Sequence, residues 1–348
     1  MKKEKNNKRP RWMRRILIGI IIALVAIFIG LGVIWMLATK KYDRQESVRI
    51  YIPRGATTTA VADTLVTRLG QDFGRRVARL WGLQGGSPKV AEGSYVVDPG
   101  ARAIDISRRL LHGRQTPVRL TFNNIRTFDQ LAARLASRME FTEDEFAAAC
   151  DSVLPTMGFK RPGYVAAFIP DTYEFYWNAP AVVVVSRLAD FRNRFWTDER
   201  RAQASSLGLT PVEVATVASI VEEETAKADE RPMVARLYLN RIARRMPLQA
   251  DPTVKFAVGD FSLRRITGKH LRTPSPYNTY LNPGLPPGPI RVPERATLEA
   301  VLSAPAHGYI YMCAKEDFSG RHNFAADYAT HLANARRYQQ ALDRRNIH

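Results

Sequence analysis

Cysteine is scarce in this chain of 348 residues, which has only Cys150 and Cys313. Neither has a second Cys or a His at metal-ligand spacing, which excludes a disulfide-rich scaffold and a zinc ribbon. Both are expected to be small buried thiols, with a single disulfide between them as the alternative. Zinc-finger spacing, a basic-leucine-zipper pattern and the aromatic signature of RNA-binding sheets are all missing. Acidic residues are outnumbered, 33 against 52 Lys and Arg, giving a net charge of +19. Such a balance invites a nucleic-acid reading, but its distribution argues against one. Residues 1–15 hold eight Lys or Arg and one Glu, so +7 of the +19 sits there. The remainder is spread thinly and suits a solvated surface facing an anionic membrane or envelope polymer. With 45% hydrophobic and 24% charged residues, a sizeable core is expected and wholesale disorder is not.

The longest uncharged apolar run is Ile16 to Ala38, 23 residues. About 20 helical residues cross a bilayer core, so this run spans one with some tilt. A cleaved signal peptide has a shorter apolar stretch and a small-x-small cleavage site, so a retained single-pass anchor is expected. Trp12 and Trp35 fall near the two interfaces. The basic cluster precedes the run, whereas Lys40, Lys41 and Arg44 follow it beside Asp43 and Glu46. The positive-inside rule then places the N-terminus in the cytoplasm and everything from about Lys40 outside it. In a bacterial cell that topology removes ATP, nucleic acid and cytosolic metabolites as substrates, and peptidoglycan becomes the major local polymer.

Ser47 to Gly70 reads as a strand, a Pro-Gly turn and an amphipathic helix, and Ala91 to Arg114 repeats that plan around Asp98-Pro99-Gly100. A small α/β module ending near Arg114 follows. Strand Val118 to Phe122 opens a new unit, and Thr127 is placed to cap the next helix. The expected fold class is α+β: a basic tail (1–15), a transmembrane helix (16–38), a small module (39–115) and a mixed α/β domain (116–348).

"TPVEVATVASIVEEETA", Thr210 to Ala226, drives an apolar helix into three adjacent carboxylates. Thr210, Pro211 and Glu213 form a capping box that fixes its start. A helix apolar nearly all round is buried. Glu222, Glu223 and Glu224 therefore meet partial burial, the negative end of the helix dipole and one another, and each effect raises a carboxyl pKa. The result is a candidate general acid; the bland alternative is a helix emerging into water. Downstream, Gln249, Asp251 and Thr253 alternate in "PLQADPTVKFAVG", and the Pro-rich loop Thr273 to Ile290 carries Tyr277, Asn278, Thr279 and Tyr280. Amides, hydroxyls and aromatic faces on a stiff loop suit sugar recognition. His322 and His331 lie among aromatics and are expected to be structural.

"ASIVEEETA", "RLYLNRI", "LQADPTV", "TPSPYNTYLNPGLPPGPI" and "HNFAADYATHLANARRY" occur in this order. Together they resemble the YceG-like (MltG) family of membrane-anchored endolytic murein transglycosylases, over roughly residues 47 to 345. "FIPDTYEFYW" fits too, although the family often has Glu-Gly where this chain reads Val165-Ala166, and usually has Lys where it has Glu223. The resemblance implies cleavage of the β-1,4 bond between N-acetylmuramic acid and N-acetylglucosamine within peptidoglycan strands, leaving 1,6-anhydro ends. It implies no cofactor and no metal, a cell (inner) membrane location with the catalytic domain outside the cytoplasm, and peptidoglycan synthases as candidate partners. By family pattern Glu222 is the catalytic acid and later the base, with the sugar's C6 hydroxyl as nucleophile. Glu224, Gln249, Asp251, Thr253, Tyr277, Asn278, Thr279 and Tyr280 are then supporting or substrate-binding residues. The small module resembles a LysM-like domain, although a spacer fits its pattern equally. Two alternatives stay open: a non-catalytic wall-binding or division scaffold, and a two-carboxylate muramidase pairing Glu222 with Asp251 or Glu224.

Overall fold

The computed structural model describes residues 11–263 and 265–345, so the first ten residues of the basic tail lie outside the described residues. A single helix, α1 (Arg11–Thr39), carries the apolar run. Its segment Trp12–Thr39 is 28 residues long and exposed up to Met36; at about 1.5 Å per residue it spans roughly 42 Å, enough to cross a bilayer.

The chain divides into two compact units, residues 1–118 with 176–178, and residues 119–175 with 179–348. In the first, β1 (Val48–Ile52) pairs antiparallel with β2 (Gly93–Val97), Ile50 opposite Tyr95. Between them run α2 (Thr58–Leu69), α3 (Gln71–Leu83) and the short α4 (Pro88–Ala91), and α5 (Ala103–Leu111) follows β2. Thr57 caps α2 by accepting from the Ala60 amide. The two expected strand–helix units are present. Helix α3, which the sequence reading passed over, adds a third apolar face: Phe73, Val77, Leu80 and Trp81 are buried with Ile50, Ile52, Leu65, Tyr95 and Leu110. Gly74 is where α3 meets α2, because a Cβ there would lie 2.3 Å from the Leu65 carbonyl oxygen.

The second unit begins with a two-stranded sheet of β3 (Val118–Thr121) and β4 (Thr172–Phe175). Helices α6 (Phe128–Ala136) and α7 (Glu143–Val153) lie between those strands in sequence. Thr127 and Thr142 start them with full capping boxes. Helices α8 (Ala181–Phe195) and α9 (Asp198–Ser206) lead into α10 (Pro211–Glu224), α11 (Arg231–Ala243), α12 (Asp251–Val258) and the short α13 (Gly268–Leu271). A long Pro-rich loop then reaches α14 (Arg295–Leu302), a hairpin of β5 (Tyr311–Ala314) and β6 (His322–Ala325), and the terminal α15 (Tyr328–Arg344).

Helix α10 is the axis of this unit. The Thr210–Glu213 capping box forms as the sequence requires. Val214 through Glu222 are all buried, and α10 packs on α11, α12 and α14. Its one mid-helix hydroxyl at close quarters with a loop, Ser219, accepts from the Ile290 amide at 3.0 Å and so satisfies a loop donor inside the core. The helix stops at Glu224, with Thr225 as C-cap.

Candidate active site

Successive residues on an α-helix point about 100° apart, so three adjacent acids at the end of α10 face three directions. Glu222 turns inward, toward the start of α14. Its Oε2 accepts from the Glu294 amide at 2.8 Å and from Thr297 Oγ1 at 2.9 Å, and its Oε1 lies 3.0 Å from the Arg291 guanidinium. A carboxylate beside the first amides of a helix is favourably placed. Burial raises its pKa, and Arg291 with the two donors opposes that. Glu223 pairs with Arg291 at 2.7 Å and with Arg126 at 3.1 Å. These two acids and two arginines clamp the end of α10.

Glu224 points the third way, into a polar cleft of about 280 Å³. Its walls include Tyr238 and Arg241 from α11, Gln249 and Asp251 at the start of α12, Tyr280 from the Pro-rich loop, and Met312, Cys313 and His322 from the β5–β6 hairpin. Tyr238 donates to Glu224 Oε1 at 2.7 Å. Burial, opposed by that hydrogen bond and reinforced by the nearby Asp251 charge, pushes the Glu224 carboxyl up to about 7. Asp251 Oδ1 accepts from the Tyr280 phenol at 2.7 Å.

The cleft is built by a small set of backbone anchors. Arg241 is buried and spends its guanidinium on carbonyls: Ile310 at 2.7 Å and Leu248 at 2.8 Å. It thereby ties the entry to α12 to the entry to the hairpin. Gln249 sits at φ +49°, a left-handed conformation that costs a non-glycine residue about 1 kcal/mol or more. Its amide reaches the Thr279 carbonyl at 3.2 Å, so the loop over-determines the strained residue.

Of the residues expected from sequence, Glu224, Gln249, Asp251 and Tyr280 come together in the cleft. Glu222 is not among the residues lining it: its Oε2 accepts from the Glu294 amide and Thr297, and its Oε1 lies beside Arg291. Thr253, Asn278 and Thr279 are not among the residues lining the cleft either. Thr253 and Thr279 hydrogen-bond to each other at 2.8 Å, and Thr279 Oγ1 accepts from the Ala250 amide. Asn278 donates to the Leu271 and Thr273 carbonyls, both at 2.9 Å. These polar side chains satisfy the backbone of a loop short of regular structure. Tyr277 packs on Phe256, ring centroids 4.6 Å apart, instead of facing the cleft. Sequence reading passed over Tyr238 and Arg241, which lie three apart on one face of α11. It also passed over the cleft position of His322. Cys150 is buried and Cys313 half-buried, and both are free thiols. Among the described residues no group of three or more His, Cys, Asp or Glu side chains is arranged to hold a metal ion.

The sequence profile of the YceG-like family matches residues 50–337. The chain is 25% identical over 295 residues to the endolytic murein transglycosylase of Bacillus subtilis (strain 168), covering 79% of this chain and 81% of that protein. It is 35% identical over 113 residues to the endolytic murein transglycosylase of Streptococcus pneumoniae (serotype 2, strain D39), which covers 31% of this chain and 20% of that protein. The crystal structure of a protein described as yceG-like, from Listeria monocytogenes, superposes with a TM-score of 0.55 at 24% identity, covering 83% of this chain and 99% of that one. That last likeness is one of fold. The chain belongs to the YceG-like family.

Proposed function

We propose that this YceG-like protein is a membrane-anchored peptidoglycan lytic transglycosylase whose proton donor is Glu224. The observation that carries the reading is the placement of Glu224: a carboxyl held half-buried in the wall of a polar cleft, raised to about 7, with one oxygen fixed by Tyr238. A general acid works best with a pKa near the operating pH. The names of the Bacillus and Streptococcus relatives support the substrate class.

The bond cut is the β-1,4 linkage from N-acetylmuramic acid to N-acetylglucosamine, inside the strand. Glu224 donates its proton to the glycosidic oxygen as the C1–O bond breaks. The C6 hydroxyl of the same muramic residue attacks C1, closes the 1,6-anhydro ring and gives up its proton inside the cleft. No water is consumed. Asp251, held by Tyr280, and Gln249 orient the sugar, and the module of residues 39–115 grips neighbouring glycan in a LysM-like manner. Positive-inside topology puts the cleft outside the cytoplasm, within reach of strands as peptidoglycan synthases release them.

A second reading has an observation of its own. Asp251 shares the cleft with Glu224, so a two-carboxylate hydrolase is a chemical possibility. Mass spectrometry of products from purified sacculi separates the two. Anhydro ends, lighter by one water than reducing ends, support the transglycosylase, and hydrated ends alone overturn it.

A further inference from the structure

The cleft holds a second titratable assembly. His322, on β6, lines the cleft near the start of α11 and is only partly exposed. Its Nδ1 lies 2.8 Å from Glu230 Oε2. Glu230 is buried and fully engaged: Oε2 also accepts from Thr225 Oγ1 at 2.9 Å, and Oε1 accepts from the His322 backbone amide at 2.7 Å. A carboxylate with that partner set makes Nδ1 the protonated ring nitrogen and fixes the ring plane. Nε2 makes no hydrogen bond among the described residues and is not sealed from solvent. A buried carboxylate, an oriented imidazole and a free nitrogen at a cleft wall form the arrangement that lets a histidine accept a proton, because the carboxylate stabilises the imidazolium that results. Thr225 is also the residue after Glu224, so one short loop ties the proposed acid to this pair.

We propose that the His322–Glu230 pair is the base of the reaction, with His322 Nε2 taking the proton of the muramic C6 hydroxyl while Glu224 protonates the departing oxygen. This rests on the lytic transglycosylase reading. The O6–H bond breaks to Nε2, the O6 lone pair forms the bond to C1, and the C1–O4 electron pair leaves onto the oxygen that receives the Glu224 proton. His322 ends as imidazolium against the Glu230 carboxylate, and Glu224 ends ionised. After the products leave, solvent carries the extra proton from His322 back to Glu224, so nothing is consumed. The division removes a demand that a single carboxyl would face, donation at one oxygen of the anomeric carbon and collection at another.

The charges around His322 are Glu230 beside it, the Arg321–Asp229 ion pair of 2.8 Å next in sequence, and Glu224, Arg241 and Asp251 in the lining of the same cleft. The phenols of Tyr238 and Tyr280 are raised by burial and stay neutral. Asp251 is therefore the competing acceptor, already holding the Tyr280 hydrogen.

The test compares the wild type with H322A, H322N, D251N and E224Q, assayed for anhydro-end formation on purified sacculi across pH. The inference expects H322A to lose about 10²-fold or more in rate, to lose the acidic limb of the pH profile, and to regain part of the rate on addition of imidazole. H322N carries an amide donor where Nδ1 stood, so it keeps the hydrogen bond to Glu230 and guards against misfolding, yet it accepts no proton and is expected to be equally slow. Full activity in H322A overturns the inference. So does a slow variant with its acidic limb intact and no imidazole rescue, since that is the signature of a structural histidine. Loss of the acidic limb in D251N, with H322A retaining it, reassigns the base to Asp251. If the wild type releases no anhydro ends, or E224Q retains full rate, the functional reading itself has failed. An inactive E224Q beside a fully active H322A sinks the base alone.

Discussion

Tyr238 and Glu224 stand on adjacent helices and share a 2.7 Å hydrogen bond, phenol to carboxyl. The bond fixes which oxygen of Glu224 remains free toward the cleft and stabilises its ionised form, opposing the burial that raises its pKa. Y238F removes the donor, so the carboxyl pKa is expected to rise further. A neutral hydrogen bond is worth about 1 kcal/mol, a little under one pKa unit. The alkaline limb of the rate profile, where the acid deprotonates, moves to higher pH by that amount. A limb that stays put or moves down contradicts the assignment of Glu224 as the acid.

Stability carries the same signature with a definite sign. In the folded chain Glu224 holds its proton up to about 7, against 4.5 when unfolded. Between those values the native state binds the proton and the unfolded state does not, so its stabilising contribution is full below about pH 4.5 and is lost as pH rises through about 7. The total is at most about 3 kcal/mol. E224Q removes this dependence. Denaturant unfolding of both proteins across pH is expected to show E224Q gaining on the wild type as pH rises through that window.

Glu222 is expected to behave as a structural acid. E222A strips Arg291 of one partner, leaves the Glu294 amide without an acceptor and leaves Thr297 Oγ1 with only the Arg231 guanidinium that donates to it. Breaking a buried pair from one side costs about 3–5 kcal/mol, read as a lower melting temperature. E222Q preserves shape and costs less, and it is expected to keep forming anhydro ends at temperatures below its transition.

Much of this architecture was legible in the chain. The capping boxes at Thr127 and Thr210, the spanning run within α1 and the burial of α10 all follow from local spacing. Which of the three glutamates lines the cleft was not. Apolar flanks single out Glu222 as the most buried acid, and it is buried, but burial alone does not distinguish an acid aimed at a cleft from one aimed at the first turn of α14. That depends on where Arg291 and Thr297, some seventy residues later, return to the helix end. Asn278 and Thr279 pose a related difficulty: a polar side chain on an irregular loop serves the loop's own amides and carbonyls as readily as a ligand. His322 reads as a core histidine, and its contact with Glu230, ninety-two residues earlier, is visible only in the fold.

The anchor gives a prediction of a different kind. On the positive-inside reading, a C-terminal tag on the full chain is expected to be cleaved by protease added to intact spheroplasts, while an N-terminal tag is protected until lysis. Protection of the C-terminal tag overturns the topology and with it the access to peptidoglycan.

The central claim is that the proton delivered to the sugar linkage comes from Glu224 and not from its buried neighbour two residues earlier. The direct measurement is the yield of anhydro-ended fragments from purified sacculi for the wild type, E222Q and E224Q, each confirmed folded by circular dichroism. The account predicts release by the wild type and by E222Q and none above background by E224Q. Release by E224Q, or its loss in E222Q alone, contradicts it.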